Sequence, residues 1–515
     1  MSTDDRVRTA ELIGSLCLAS DLAMGFPFEH GLQSTLTTMR LCEALGVDNE
    51  TASRTYYACL LMYSGCTADG EEKAGIFESG LTRHNQHLQH GSTFENLTGV
   101  MGALPSPRTP RPLRPIQAAA RLPRALRFLP KHFAALCEMA GIFSDRFGLP
   151  ESISGMFTFL TERWDGSSLL RRAGGDDIPL PIRIIHIGRD ATYQRLVGGD
   201  EHVVDVIRAR AGGDFDPDIV DVFLSDPQEL LGPPAPPGTV WEEALEAEPR
   251  PTRTLEGPAI DRALGAIGML AELGSPYLAG HCLGVAELAS AAAEIYGFSL
   301  SEVGTIRRAA LVHDVGRAAV SPLVWGRPGP LTADEREQVR LHPYHTERVL
   351  ARSRFLTELA PLATAHHERL DGSGYHRGAT AASLSPSAKL LAAADAFRSK
   401  TEPRPYRRPL SAEEATEILA GKAKQGALDA HMVAAVAQAA GEPAPAIERP
   451  AGLTEREAEV IGLLSRGLRT KQIARELNIA TKTADRHIQN SYRKIGVSSR
   501  AAATLFATEH GLVPR

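Results

Sequence analysis

Paired cysteines are what this chain most plainly lacks. Its six thiols (Cys17, Cys42, Cys59, Cys66, Cys137 and Cys282) stand singly, without the spacing of a disulfide framework or a cysteine-type zinc site. Unpaired thiols fit a reducing compartment. No apolar run is long enough to cross a bilayer, and the opening residues Met1 to Asp5 are acidic where a signal peptide would be basic. The expectation is a cytoplasmic protein with no membrane partner. Strand-like β-branched runs are few, and Ile182 to Ile187 is the best of them. A general excess of positive charge is missing too: the net charge of −6 excludes a chain that is basic throughout. What is present is the 43% hydrophobic and 23% charged composition of a globular protein. At 515 residues it has room for several cores.

Proline marks the divisions. Leu231 to Gly238 holds four prolines and runs into an acidic, proline-containing segment; Gly441 to Pro450 is similar. Both read as linkers. They set expected domains at 1–230, 258–440 and 453–515, with linkers at 231–257 and 441–452. A third Pro/Arg-rich stretch, Pro105 to Pro130, reads as an insertion in the first block. Segments 259–274, 280–296, 301–314, 332–352 and 411–423 carry helical periodicity, so the expected fold class is all-α.

The chain also repeats itself. At an offset of 251 residues His30 falls on His281, and Ala58 to Gly65 falls on Ala309 to Gly316. Further on, Glu162 to Ser167 matches Glu368 to Ser373, and Asp190 matches Asp395. Met62 and Tyr63 then stand where His313 and Asp314 stand, with Leu160 and Thr161 near the place of His366 and His367. The first block reads as a degenerate copy of the second, left with a role in dimerisation or signal sensing.

His313 and Asp314 are adjacent, with His281 upstream and His342, His366, His367 and Asp395 following in order. Imidazoles and carboxylates are ligands that Mn, Fe or Zn ions prefer. An Asp directly after a His can place one carboxylate between two metals. Such a pair activates water and clamps a phosphoryl group for in-line displacement. The series therefore points to phosphoester hydrolysis.

The text around these residues is specific. It includes His313-Asp-Val-Gly-Arg317, Pro322 to Thr332 with Glu335, His342-Pro343, His366 to Tyr375, and Arg404-Pro-Tyr-Arg407. Residues 275–435 resemble an HD-GYP domain, a branch of the HD phosphohydrolases. The resemblance implies an all-helical domain that hydrolyses cyclic di-GMP with two divalent metal ions, Fe or Mn. By position, His281, His313, Asp314 and Asp395 would hold one metal. His342, His366 and His367 would hold the other, with Asp314 bridging. His313, Asp314 and Arg317 would be catalytic, Arg317 standing in the family's usual Lys position. Arg317, Tyr375, Arg404 and Arg407 would contact substrate. His376 replaces the proline of the family's Gly-Tyr-Pro signature, and Tyr277 stands where some members have a further metal-binding Glu.

From residue 451 onward eleven basic residues face six acidic ones, an electrostatic hint of nucleic acid. Thr454 and Glu457 form a capping-box signature before an apolar stretch ended by Gly467. A short helix over 470–477 and a basic one over 481–495, joined by a tight turn at Asn478-Ile479, describe a helix-turn-helix. Leu453, Thr454, Glu457, Gly467, Ile473, Ala474, Leu477, Thr483, His487, Gly496 and Val497 resemble a LuxR/NarL-type domain. The resemblance implies a fourth helix from about Ser499 to His510. The DNA-facing candidates are Lys471, Lys482, Thr483, Asp485, Arg486, Gln489, Arg493, Lys494 and Arg500. Paired half-sites imply a homodimer. The whole reads as a DNA-binding regulator whose metal domain hydrolyses or senses cyclic di-GMP. Two other readings stay open: a non-catalytic ligand sensor, and a phosphohydrolase of another nucleotide phosphoester.

Overall fold

The computed structural model describes residues 6–77, 93–106, 109–233, 238–445, 450–509 and 512. Parts of both proline-rich stretches (234–237 and 446–449), His510 and Arg515 lie outside the described residues. The chain folds as two units, Met1–Pro443 and Ala444–Arg515.

The repeat is structural. The first copy uses α1 (Thr9–Met24), α2 (His30–Ala44), α3 (Asn49–Leu61), α4 (Thr93–Ala103), α5 (Arg114–Arg146), α6 (Leu180–Ala209) and α7 (Pro217–Ser225). The second uses α8 (Pro258–Glu272), α9 (His281–Tyr296), α10 (Leu300–Val312), α11 (His342–Leu350), α12 (Pro386–Thr401) and α13 (Ala430–Ala439). α2 is entered from Glu29 at φ 76 and ψ 10, and α9 from Gly280 at φ 76 and ψ 8. α3 is capped by Asp48 and α10 by Ser299, again 251 residues apart. Each of these helices runs into a short 3-10 turn, Ser64–Thr67 in one copy and Val315–Ala319 in the other. There Gly65 and Gly316 admit a neighbouring backbone so closely that a Cβ would lie 2.2 Å from the Leu136 carbonyl oxygen and 2.1 Å from that of His342. This places Leu136 where His342 stands, a match that sequence alignment had not given.

Several expectations are corrected. Ile182 to Ile187 is not a strand but the first turns of α6. Pro181 sits in the first turn, where no backbone donor is needed. The isoleucines at 182, 184, 185 and 187 are all buried, and without an alternating face a short apolar run does not distinguish helix from strand. The Pro105 to Pro130 stretch, read as an insertion, contributes Pro123 and Pro130 to α5, which leaves that reading standing. The expected 332–352 helix is two, Ala333–Arg340 and His342–Leu350.

The expected 231–257 linker is not a free connector. It forms a helix, Val240–Glu246, with Trp241 5% exposed, and a strand β2 (Thr254–Glu256) antiparallel to β1 (Arg6–Arg8). Blocks 1–230 and 258–440 share one hydrophobic core running from Val7 to Val436. Trp241 packs against Gly14, Ser353 donates to Glu11 at 2.8 Å, and the Arg348 guanidinium lies 4.5 Å from the Phe28 ring. One stretch, Pro276–Tyr296, does have the length and composition of a membrane span, with mean hydropathy 1.2. Its helix, α9, carries His281 and packs against α10, α12 and α13.

The second unit holds α14 (Glu455–Ser465), α15 (Thr470–Glu476), α16 (Thr481–Ile495) and α17 (Arg500–Glu509) around Val460, Ile461, Ile473, Ala484, Ile488 and Ala503. Thr454 and Glu457 form the expected capping box. Asn478 makes the turn between α15 and α16 at φ 50.

Candidate metal centre

The seven expected ligand positions come together. His281 opens α9, His313 and Asp314 follow α10, His342 opens α11, His366 and His367 follow a short helix, and Asp395 lies in α12. Six are buried, and His367 is partly buried. Asp314 is central. Its Oδ2 lies 3.1 Å from His313 Nε2 and 3.4 Å from His281 Nε2. Its Oδ1 lies 3.2 Å from His342 Nε2 and 3.3 Å from His366 Nε2. Asp395 completes the cluster, 3.2 Å from His281 Nε2 through one oxygen and 3.6 Å from His367 Nδ1 through the other. Two groups have ligand atoms close enough to hold an ion: His281, His313 and Asp395; and His342, His366 and His367. A third draws in Cys282 beside His313 and Asp314. Burial pushes the Cys282 thiol well up, away from the thiolate a metal would take.

The backbone decides which ring nitrogen faces inward. Nδ1 of His313, His342 and His366 lies 2.7, 2.6 and 2.7 Å from the carbonyl oxygens of Ala310, Val339 and Ala363. Each Nδ1 must therefore donate, and each Nε2 carries a lone pair. Those lone pairs point at Asp314 and at each other: His342 Nε2 and His366 Nε2 are 3.1 Å apart. Acceptor faces acceptor. Apart from the Arg317 ion pair at 2.8 Å, neither Asp314 oxygen nor His313 Nε2 has a hydrogen-bond partner among the described residues. Buried acceptors arranged this way call for cations, and the donor set fits two divalent ions.

The charges agree with that fit at His342, His366 and His367, whereas His281 would have to give up a proton to a bound ion. Burial keeps His342, His366 and His367 neutral, His366 down at about 4. Burial also opposes charge on His281, but the carboxylates of Asp314, Asp395 and Glu402 around it outweigh burial and lift the group to about 10. Burial works against the two carboxylates, yet Arg317 beside Asp314 and His281 beside Asp395 hold both well below the usual range.

Arg317 is in the site, stacked 5.1 Å from the Trp325 ring, with its buried Nε lacking an acceptor among the described residues. Tyr375 stands at its edge, 4.7 Å from the His367 ring, under Arg340 at 5.7 Å. Its loop turns tightly at Gly374, where a Cβ would come within 2.5 Å of Glu368 Cα. Arg404 and Arg407 are engaged by the chain itself. Arg404 donates to Tyr277 O and Glu402, and Arg407 to the carbonyls of Ser399, Lys400 and Glu402. Both guanidinium groups staple the loop after α12. Sequence reasoning missed Glu402, which holds His281 Nδ1 at 2.8 Å, and Glu272, which accepts from the N–H groups of Gly280 and Cys282.

In the tail, Lys482, Asp485, Arg486 and Gln489 form one exposed face of α16, Thr483 is half-buried, and Lys471 and Arg493 are exposed. Lys494 and Arg500 are exposed but engaged. Lys494 bonds Glu457 at 2.7 Å and Gly452 O at 2.9 Å; Arg500 donates to Leu464 O and Leu468 O.

Helical layout and site define a class. Residues 265–432 match the HD domain family, and residues 451–507 match the bacterial regulatory proteins of the luxR family. The chain joins an HD domain to a luxR-type helix-turn-helix domain. A 3'3'-cGAMP-specific phosphodiesterase of Vibrio cholerae is 25% identical over 415 residues, 80% of this chain and 90% of that one. A cyclic di-GMP phosphodiesterase of Thermotoga maritima is 36% identical over 164 residues, 31% of this chain and 45% of its own. The crystal structure of a cyclic GMP-AMP specific phosphodiesterase of V. cholerae superposes with a TM-score of 0.58 at 22% identity, covering 85% of this chain and 98% of that one. That likeness concerns the fold.

Proposed function

We propose that this chain is a metal-dependent phosphodiesterase of cyclic dinucleotides, acting in the cytoplasm, whose helix-turn-helix unit binds double-stranded DNA as a homodimer. One observation carries the enzymatic part: four imidazole nitrogens converge on the two oxygens of buried Asp314, one of which also takes the Arg317 guanidinium. His281, His313, Asp314 and Asp395 would hold one ion, His342, His366 and His367 the other, and Fe or Mn suits this mixed nitrogen and oxygen set. When bound, such a pair supplies Lewis acidity at phosphorus and an activated water. The chain's residues do the rest. Arg317, anchored on Asp314 and Trp325, has Nε to offer a phosphoryl oxygen. Tyr375 offers an aromatic face beside His367 for a base or ribose.

Both cyclic di-GMP and 3'3'-cGAMP enter the proposal, the second because the relative matched along most of this chain bears that name. Turnover or binding at this site would in turn alter DNA binding by the tail. The test is the purified full chain loaded with Mn or Fe, assayed on cyclic di-GMP, 3'3'-cGAMP and a generic phosphodiester, with Asp314→Ala as control. Hydrolysis of a cyclic dinucleotide, abolished by Asp314→Ala, is the expected result. Binding without turnover would make the domain a sensor, turnover of the generic ester alone would make it a different phosphohydrolase, and a protein that takes up no metal would overturn the reading.

A further inference from the structure

The first copy has lost its ligands and kept a hollow. A cavity of about 490 Å³ lies against Met62, Tyr63, Leu136, Leu160, Thr161 and Asp190. These six stand where the second copy has His313, Asp314, His342, His366, His367 and Asp395, by the repeat and by the Gly65 and Gly316 contacts. In the second copy seven polar side chains meet at a common centre. Here Met and Leu have replaced imidazoles and the space stays open. Its volume is that of a small-molecule pocket.

Two features define what would fill it. The walls from α4 and α5 are apolar, with Val100, Leu129 and Phe133 inside. At the lining three large apolar side chains remain half in solvent: Leu97 at 51%, Leu126 at 54% and Leu169 at 53% exposure. Exposed leucines grouped around one cavity mark an entry for an apolar body. The opposite side is charged. Arg163, Arg171, Arg189 and Arg210 meet Glu162, Asp190 and Asp214 at the lining, with Asp165 behind Arg163. Arg210 is held by Asp190 at 2.6 Å, and Arg163 bridges Asp165 and Asp214. Arg171 lies at the exposed edge, its own N–H bonded to Ser168.

We propose that this cavity binds an anionic amphiphile, an apolar chain ending in one carboxylate, with the chain among the leucines of α4 and α5 and the head at the arginine side. The head meets Arg171, which makes no ion pair among the described residues, and an aliphatic body covers the exposed leucines. The idea does not rest on the hydrolytic reading, because Asp314 takes no part in it.

The test is calorimetric titration of the full chain with decanoate below its micelle concentration, beside decanol. Saturable one-to-one binding of decanoate is expected, with decanol at least tenfold weaker. Leu126→Glu and Leu169→Glu, both at half-exposed positions and checked for an unchanged thermal midpoint, should each weaken decanoate at least tenfold. Asp314→Ala should bind it as the parent does while losing hydrolysis. No saturable binding, or equal binding by both glutamate variants, overturns the site; decanol binding as tightly as decanoate overturns the anionic head.

Discussion

At the scale of residues, the cluster of candidate metal-ligating side chains was legible because their chemistry is rare and their order distinctive. The groups that aim them were not. Glu402 stands 121 residues from His281, and nothing local marks a glutamate that will fix a distant imidazole. Arg404 and Arg407 show a related gap: a sequence shows the charge of a guanidinium and not the carbonyls it meets. Second-sphere partners of metal-bound histidines typically carry about 10–100-fold in metal affinity. Glu402→Gln should therefore weaken Mn binding by about that factor, read by competition with a chromophoric chelator, while Asp371→Asn at the exposed loop leaves it unchanged. In the first copy the surviving His30 is 1% exposed, has no partner at either ring nitrogen among the described residues, and stacks on Phe26 at 4.3 Å. Burial holds it at about 3 against 6.5 for a free imidazole. As pH falls the unfolded chain takes up this proton first, so His30 lowers stability progressively from about pH 6.5 down to about 3. His30→Phe should keep the thermal midpoint at neutral pH and lose less of it on acidification; a lower midpoint at pH 7 would count against this account.

At the scale of elements, helix boundaries in the second copy and the tail followed periodicity and caps closely, because Ser299, Thr454 and Ser411 announce their helices by capping boxes. The segment that failed was one whose burial is uniform, Ile182 to Ile187. The recognition helix gives a sharper division than charge alone. Lys482, Arg486 and Gln489 share an exposed face, whereas Lys494 is tied to the capping glutamate Glu457. Arg486→Ala or Gln489→Ala should cost about 1–3 kcal/mol on a cognate site if the side chain reads a base edge. Lys482→Ala, as a phosphate contact, should weaken all sequences evenly and lower the salt slope by about one. Lys494→Ala should instead lower the thermal midpoint of the tail and leave the salt slope unchanged. Retention measured against salt for all four variants separates these outcomes.

At the scale of the molecule, duplication was readable as text but fusion was not. The offset of 251 residues gave two copies, and proline suggested that each stood alone. The structure joins them: α1 packs against α8 and against the 3-10 turn that carries Arg317, and β1 pairs with β2 across the full length of the first copy. Trp241 and Leu255, from the supposed linker, belong to the same core as Leu264 and Val312. Burying a large apolar side chain contributes about 1.5–3 kcal/mol, and a surface built of such residues does not remain solvated on its own. Residues 258–440 expressed alone should therefore fail to show a cooperative thermal transition, while residues 1–443 should melt as one unit that bound Mn shifts upward throughout. Calorimetry of the two fragments decides it. A 258–440 fragment that folds, binds metal and melts cooperatively would mean that the degenerate copy is an accessory and not half of the scaffold on which the metal centre is built.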